Sequence, residues 1–530
     1  MPQSEPDPTG GQNALYDLHP YESMPFAQTQ PASIAALGTL FGLTPPPVAD
    51  CRVLELGCAS GGNIIPLAAR FPQARFDGLD ISERHVSLAN ARIAATGLTN
   101  VAIRQGDLAD PAAVTGEYDY IICHGVYSWV PEAVRRRILE VFRQHLAPNG
   151  IAYVSYNILP GWLLRKVVRD IFRLAAYGCA SQAESVATGR RLLDQLAAIS
   201  NEETPYGKFL RNEARQIAPM PDSYIIAEFL TEENAPCYFR DFLGEVRSAG
   251  LEYLSETELH AALRTLSSPD FNRAVQAIAG PDPMEAEQTF DLVQGRQFRQ
   301  SLLIRADNPG TIDRAPSALR LASLHFATSL RIAPELANND EVVLRDPGGR
   351  TIATNDRAVA AALDRLGTAG PATRTLAELV EMTGAEPAQR EAVAGRLLET
   401  LLRVVVAGLV RISAAPLRTT GSDAEHPQIW FHARVEQADG QAWTTNLQHL
   451  PLRLDPLAAA LLPLVDGTND RASLAAQLVD RAARHEIDPN LLARMPGAQT
   501  PSSDPAAVAA TLVELVLAQF ERLALLDPQI

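Results

Sequence analysis

The chain has 530 residues, with 46 Lys and Arg against 62 Asp and Glu, a formal charge of −16. Its 46% apolar and 20% charged residues are those of an ordinary globular protein, and the length exceeds what one core can fill, so three or more domains are expected. An acidic chain is a poor non-specific ligand for nucleic acid, because phosphate neutralisation dominates that binding; no nucleic-acid partner is expected, whereas a basic polypeptide would be tolerated.

The cysteines are Cys51, Cys58, Cys123, Cys179 and Cys237. They are odd in number and widely spaced, with no CxxC or Cys/His cluster, so neither a disulfide framework nor a metal site is expected. The N-terminus has no basic-then-apolar signal pattern, and no run of about 18 apolar residues predicts a membrane span. A cytoplasmic protein is the expectation.

Residues 1–14 are polar and Pro/Gly-rich and read as a disordered tail. Short helical or loop elements follow, ending in Thr44-Pro45-Pro46-Pro47, a rigid stop. Strands are then predicted at Arg52–Leu56, Ala74–Leu79, Val101–Gln105, Tyr118–Cys123 and Ile151–Tyr156, alternating with helices at Gly62–Arg70, Glu83–Thr96 and Pro131–His145. This alternation implies an α/β, Rossmann-like parallel sheet covered on both faces. Beyond Gly161 long helices are predicted, with Arg165, Lys166, Arg169 and Arg173 on a face expected to be solvated. Residues 220–305 read as helical, and Pro309–Ala315 as a linker. Ala361–Ile412 and Leu457–Asp527 repeat an order of helix, turn, helix, third helix and short strand, which is winged-helix-like. Ala472–Val479 contains no Lys or Arg, so a structural or docking role is favoured over DNA binding. The expected division is 1–14 tail, 15–175 cofactor-binding domain, 176–305 helical domain, and winged-helix-like units at 316–415 and 425–530.

The central motif is Val53-Leu54-Glu55-Leu56-Gly57-Cys58-Ala59-Ser60-Gly61-Gly62-Asn63. A strand enters a glycine turn and then a helix, whose N-terminal N–H groups lack partners. Gly57 and Gly61 let backbone approach a ligand closely. The turn is GxxxG and follows Glu55, whose carboxylate repels a pyrophosphate but suits a ligand with a cationic amino-acid end. S-adenosyl-L-methionine has that shape. Asp80 ends the second strand, where a carboxylate accepts both ribose hydroxyls, and Asp107 ends the third, where it is expected to meet the adenine amine.

The fourth strand leads into His124-Gly125-Val126-Tyr127-Ser128-Trp129-Val130-Pro131, at the sheet edge where ligands bind in such folds. His124 is expected to touch the cofactor or act as a base. Tyr127 and Trp129 are expected to wall a cationic amine and sulfonium. After the fifth strand, Tyr156 and Asn157 complete the expected catalytic set. The sequence lacks the D/N-P-P-Y/F signature and the Pro-Cys nucleophile, which argues against nucleobase and glutamine targets.

Tyr16-Asp17, Tyr21-Glu22-Ser23, Pro25-Phe26 and Thr29-Gln30-Pro31, together with the motifs above and Pro160-Gly161-Trp162, resemble the bacterial class I methyltransferases that carry a methyltransferase regulatory domain. That family includes rickettsial protein-lysine methyltransferases acting on an outer-membrane protein. Tyr224, Glu228-Phe229-Leu230, Asn234, Tyr238-Phe239, Asp241-Phe242 and Arg296-Gln297-Phe298-Arg299-Gln300 resemble the regulatory domain, and Asp466-Gly467-Thr468 the family's winged-helix segment. One departure is Ala227, where histidine is expected before Glu228. The resemblance implies S-adenosylmethionine as cofactor, bound by Tyr21, Glu55, Gly57, Cys58, Ala59, Gly61, Asn63, Asp80, Ile81, Asp107, Leu108 and His124. It points to transfer to an amine, a protein lysine foremost, with 176–305 as a substrate-facing or homodimer-forming wall. A small-molecule acceptor and a non-catalytic cofactor-binding regulator are the alternatives.

Overall fold

The computed structural model describes residues 23–259, 269–336, 341–492 and 504–527. The expected tail at 1–14 lies outside the described residues. Helix α1 (Pro31–Leu40) starts with proline at its first turn, where the missing N–H costs nothing. Then follow β1 (Arg52–Leu56), α2 (Ile64–Arg70), β2 (Arg75–Asp80), α3 (Glu83–Thr96), β3 (Val101–Gln105), β4 (Tyr118–Cys123), α4 (Glu132–His145) and β5 (Leu146–Asn157). Ser82 caps α3 by accepting from the backbone N–H of His85, and Gly97 ends that helix in the left-handed region, the two termini the chain marks locally.

Helices α5 (Trp162–Ala176), α6 (Gln182–Ile199), α7 (Pro205–Ile217) and α8 (Asp222–Ile225) form a helical insertion, and α8 runs into a π-helical turn over Ile226–Leu230. After α9 (Phe239–Ser248) come β6 (Leu251–Glu256), α10 (Pro269–Ala279), α11 (Pro283–Gln294) and β7 (Phe298–Arg305). The sheet order is β3-β2-β1-β4-β5-β7-β6. Strands β1 to β5 pair in parallel, while β7 is antiparallel to both β5 and β6.

Two expectations need correcting. The stretch 220–305 is not wholly helical, because β6 and β7 complete the sheet; a boundary at 175/176 therefore separates the sheet from two of its own strands. The basic face of α5 is not simply solvated either. Arg169 is buried and bonds the backbone carbonyls of Glu228 and Thr231, and Arg165 bonds Glu213 at 2.8 Å. The arginines tie the helical insertion to the turn beside the sheet.

Period-two alternation sends side chains to opposite faces of the sheet. Val53, Phe76, Ile103, Tyr120 and Tyr153 join α1, α2 and α3 in one core, and Leu54, Leu79, Ile121, Val154 and Tyr156 join α4 and α9 in another. The helical insertion has its own cluster around Phe172, Leu193, Leu210 and Phe229.

The unit after the sheet shares the first core through Leu321, Phe326, Leu363 and Leu401. It comprises β8 (His325–Thr328), β9 (Arg331–Ile332), β10 (Val342–Arg345), β11 (Thr351–Thr354), α12 (Arg357–Ala369), β12 (Arg374–Thr375), α13 (Leu376–Met382), α14 (Arg390–Val406) and β13 (Val410–Ser413). The last unit has α15 (Phe431–Ala438), β14 (Thr444–Thr445), β15 (Pro451–Leu452), α16 (Pro456–Leu461), α17 (Arg471–Ala483) and α18 (Pro505–Arg522) around a separate core. Helix, helix, long helix and terminal pairing recur in both, the second closing with Leu526 bridged to Ile429. Among the described residues no helix is long and apolar enough to cross a membrane.

Candidate active site

A cavity of about 590 Å³ opens at the C-terminal edge of the parallel strands. Part of its wall is built by the β1–α2 turn. Gly57 has φ +70°, and a Cβ there would fall 2.4 Å from Val126; Gly61 has φ +78° and faces Ile65 and Ile103. Gly61 thus shapes the turn from behind and does not line the cavity. Ala59 holds a positive φ of 46°, an uncommon conformation for a residue with a side chain, and its N–H is fixed by Asp80 Oδ2 at 2.7 Å.

Glu55 is buried on the central strand. Its Oε1 accepts from Asn63 Nδ2 at 2.8 Å, whereas Oε2 is buried without a partner. Burial pushes its pKa from 4.5 up to about 8, and the Asn63 hydrogen bond opposes that rise. Asn63 Oδ1 in turn contacts the N–H of Phe26, the hydroxyl of Thr29 and Nε2 of His449, at 2.9, 3.1 and 2.8 Å. His449 belongs to the last unit, which sequence reading gave no part in this site. Gln30 Nε2 donates to the Gln448 carbonyl beside it.

Asp80, Ile81, Asp107 and Leu108 line the cavity with Glu55, Gly57, Cys58, Ala59 and Asn63. Each aspartate also holds local backbone: Asp80 Oδ1 accepts from Ser82 N, and Asp107 Oδ1 from Ala109 N. Their capping and ligand-facing roles coexist, since each carboxylate has several acceptor sites. Tyr21 lies outside the described residues.

Of the expected catalytic residues, His124, Trp129 and Asn157 line the cavity. His124 Nδ1 is 2.8 Å from the Tyr153 hydroxyl, its ring lies 3.8 Å from that of Phe26, and burial lowers its pKa to about 4. It is a neutral wall group and a poor base near neutrality. Asn157 Nδ2 is buried without a partner. Tyr127 and Tyr156 do not line the cavity. Tyr127 is 1% exposed and donates to Glu245 at 2.5 Å; Tyr156, also 1% exposed, stacks on Phe242 at 4.0 Å and bonds Ser301. They are core residues, because the loop and strand turn them to the face opposite their neighbours.

The cavity is also lined by residues not singled out as catalytic from the sequence: Trp162, Arg165, Tyr224, Ala227, Glu228, Gln297 and Phe298. Trp162 Nε1 donates to Asn234 at 2.7 Å, and its ring meets Trp129 edge-on at 6.0 Å. Apart from Arg165, read as part of a solvated helix face, only the family resemblance pointed to these positions.

A sheet ordered 3-2-1-4-5-7-6 with β7 reversed, carrying a glycine turn, a buried acid on β1 and acids ending β2 and β3, defines a class I S-adenosylmethionine-dependent methyltransferase. The family models for a methyltransferase domain, a predicted methyltransferase regulatory domain and a PKMT C-terminal winged helix domain match residues 54–152, 221–305 and 425–525. Two uncharacterised Rickettsia prowazekii proteins are 38% identical over 293 residues and 35% identical over 240. The alignments cover 55% and 45% of this chain, and 53% and 96% of those proteins. The structure of PKMT2 from Rickettsia typhi in complex with AdoHcy is 26% identical, with a TM-score of 0.82, covering 96% of this chain and 100% of that one. The chain belongs to the S-adenosylmethionine-dependent methyltransferases that combine this regulatory domain with the PKMT winged helix.

The regulatory-domain match at 221–305 contains the π-helical turn, β6 and β7. That segment is part of the catalytic sheet and of the cavity wall.

Proposed function

We propose that this protein transfers a methyl group from S-adenosylmethionine to the side-chain amine of lysine in a protein acceptor. The observation that carries the reading is one cavity lined both by the unpartnered Glu55 carboxylate and by the aromatic rings of Trp129 and Trp162. Likeness to PKMT2 along 96% of the chain supports lysine as the acceptor.

Glu55 Oε2 suits the ammonium of the cofactor's amino-acid end, and Asn63 holds that carboxylate in place. Asp80 is assigned to the ribose hydroxyls and Asp107 with Leu108 to the adenine. The bound cofactor supplies an electrophilic methyl group. The chain's contribution on the acceptor side is a channel that excludes water and aligns the nitrogen; such placement provides much of the acceleration of a group transfer. A lysine has a reference pKa near about 10.4, and the apolar walls disfavour its charged form. The β5 and β7 edges supply Asn157 and Phe298 to the same walls.

The test is a tritium-methyl transfer assay on a protein extract, followed by proteolysis and amino-acid analysis. Label recovered as methyl-lysine is expected. Label confined to small molecules would redirect the reading to a small-molecule acceptor, and binding without transfer to a regulator.

A further inference from the structure

The cavity that holds the cofactor residues is also lined by a carboxylate with no hydrogen bond or salt bridge among the described residues. Glu228 sits in the π-helical turn Ile226–Leu230 and lines the cavity. Such turns interrupt a helix and recur at functional sites. Among the described residues the Glu228 carboxylate takes part in no hydrogen bond or salt bridge; only its backbone carbonyl is held, by Arg169 at 2.5 Å. The nearby cations are committed elsewhere. Arg165 pairs with Glu213 at 2.8 Å, and Arg169 also binds the Thr231 carbonyl at 2.8 Å while lying 5.5 Å over the Trp129 ring. They brace the turn and leave its carboxylate to the cavity.

Burial pushes the Glu228 pKa from 4.5 up to about 7, against the pull of Arg165 and Arg169. A carboxyl poised near neutrality is matched to accepting a proton there. Arg165, Asp80, His85 and Asp107 line the same cavity, and so do Tyr224, His124 and Glu55. Tyr224, on the same segment, is raised above its ordinary value by burial; across the cavity, burial lowers His124 to about 4 and raises Glu55 to about 8. Neither His124 nor Tyr224 is matched to taking a proton at neutral pH.

We propose that Glu228 is the proton acceptor on the amine side of this site: it receives the substrate's ammonium group in the cavity and takes one proton from it. This rests on the amine reading above. One N–H bond breaks and one O–H bond forms on Glu228, so an ammonium and a carboxylate become a neutral amine and a carboxylic acid. The nitrogen keeps the freed electron pair for the methyl group.

The test compares the full chain with Glu228→Gln and Glu228→Asp, using tritium-methyl S-adenosylmethionine and a protein extract. Both variants are expected to bind S-adenosylhomocysteine with wild-type affinity, which shows that they are folded. Near pH 7 the Gln variant should lose about 100-fold or more in rate, within the range for general base catalysis, and Asp should recover part of it. The deficit should shrink about tenfold for each pH unit toward the lysine value, because the free amine then forms in solution. The wild-type inflection near pH 7 should vanish in the Gln variant. A Gln variant that keeps that inflection, or loses the same factor at every pH, overturns the proposal while leaving the methyltransferase reading in place. A wild-type protein that labels no lysine overturns the amine reading, and this assignment with it.

Discussion

Glu55→Gln removes a charge from the cofactor cradle while leaving its shape almost unchanged. The wild-type carboxyl is held near pKa 8 by burial, so at pH 7 about nine molecules in ten hold the proton. Docking an ammonium on Oε2 ionises Glu55 and expels that proton. The amino group of S-adenosylhomocysteine itself titrates near about 7.7–8.0. The bound pair holds one proton in total, so affinity should peak near pH 8, falling below it as free Glu55 protonates and above it as the free ligand loses its charge. Net proton release should be about 0.8 per site at pH 7, reach zero near pH 8 and turn to uptake beyond. A charged hydrogen bond is worth about 1.5–3 kcal/mol, a factor of about 10 to 150 in affinity at the peak. In the Gln variant the peak should flatten and the release at pH 7 disappear. Calorimetry in buffers of different ionisation enthalpy measures both. A Gln variant that still releases the wild-type number of protons would refute the assignment, because the proton would then come from another group.

Three further outcomes are expected. Arg299→Met should cost about 3–5 kcal/mol in urea unfolding. The Arg299 side chain is fully buried against Glu256, Glu287 and Asp291, and its loss would leave Glu256 and Glu287 without a salt-bridge partner among the described residues and Asp291 with Arg296 alone; an unchanged midpoint would count against this. Tyr127→Phe should lose only its bond to Glu245, about 0.5–1.5 kcal/mol of stability, with methyl transfer unaltered; a collapse in rate would restore it to the active site. His449→Ala should weaken S-adenosylhomocysteine binding about threefold to tenfold by loosening Asn63, on the scale of one hydrogen bond; equal affinity in titration would show Asn63 to be held well enough by Phe26 and Thr29 alone.

The strands β1 to β4 were legible because each is a short stretch centred on apolar residues with a glycine or an acid at or within two residues of its end, and the glycine turn with Glu55, Asp80 and Asp107 was read from chemistry at or near strand ends. Strand β5 shows where such reading fails. Tyr156 and Asn157 are adjacent, so a strand sends them to opposite faces; Asn157 reaches the cavity, and Tyr156 stacks in the core on Phe242. Choosing both required a register that periodicity alone does not specify. Strands β6 and β7 lie among helices, and β7 inserts between β5 and β6, a pairing between segments about 140 residues apart in sequence that no local pattern carries. The arrival of Glu228 depends on the helical insertion folding back and on an irregular turn. Its proximity to Trp129 is tertiary, as is that of His449 to Asn63.

The contact between His449 and Asn63 spans 386 positions of the chain. A ribosome builds residue 63 long before residue 449, and domains generally fold as units during synthesis. The sheet and its glycine turn can therefore form while the last anchor of the cofactor loop is still untranslated. A product lacking the last unit would lose that anchor, so the order of synthesis places final tuning of the cofactor site after the sheet that carries it has been made.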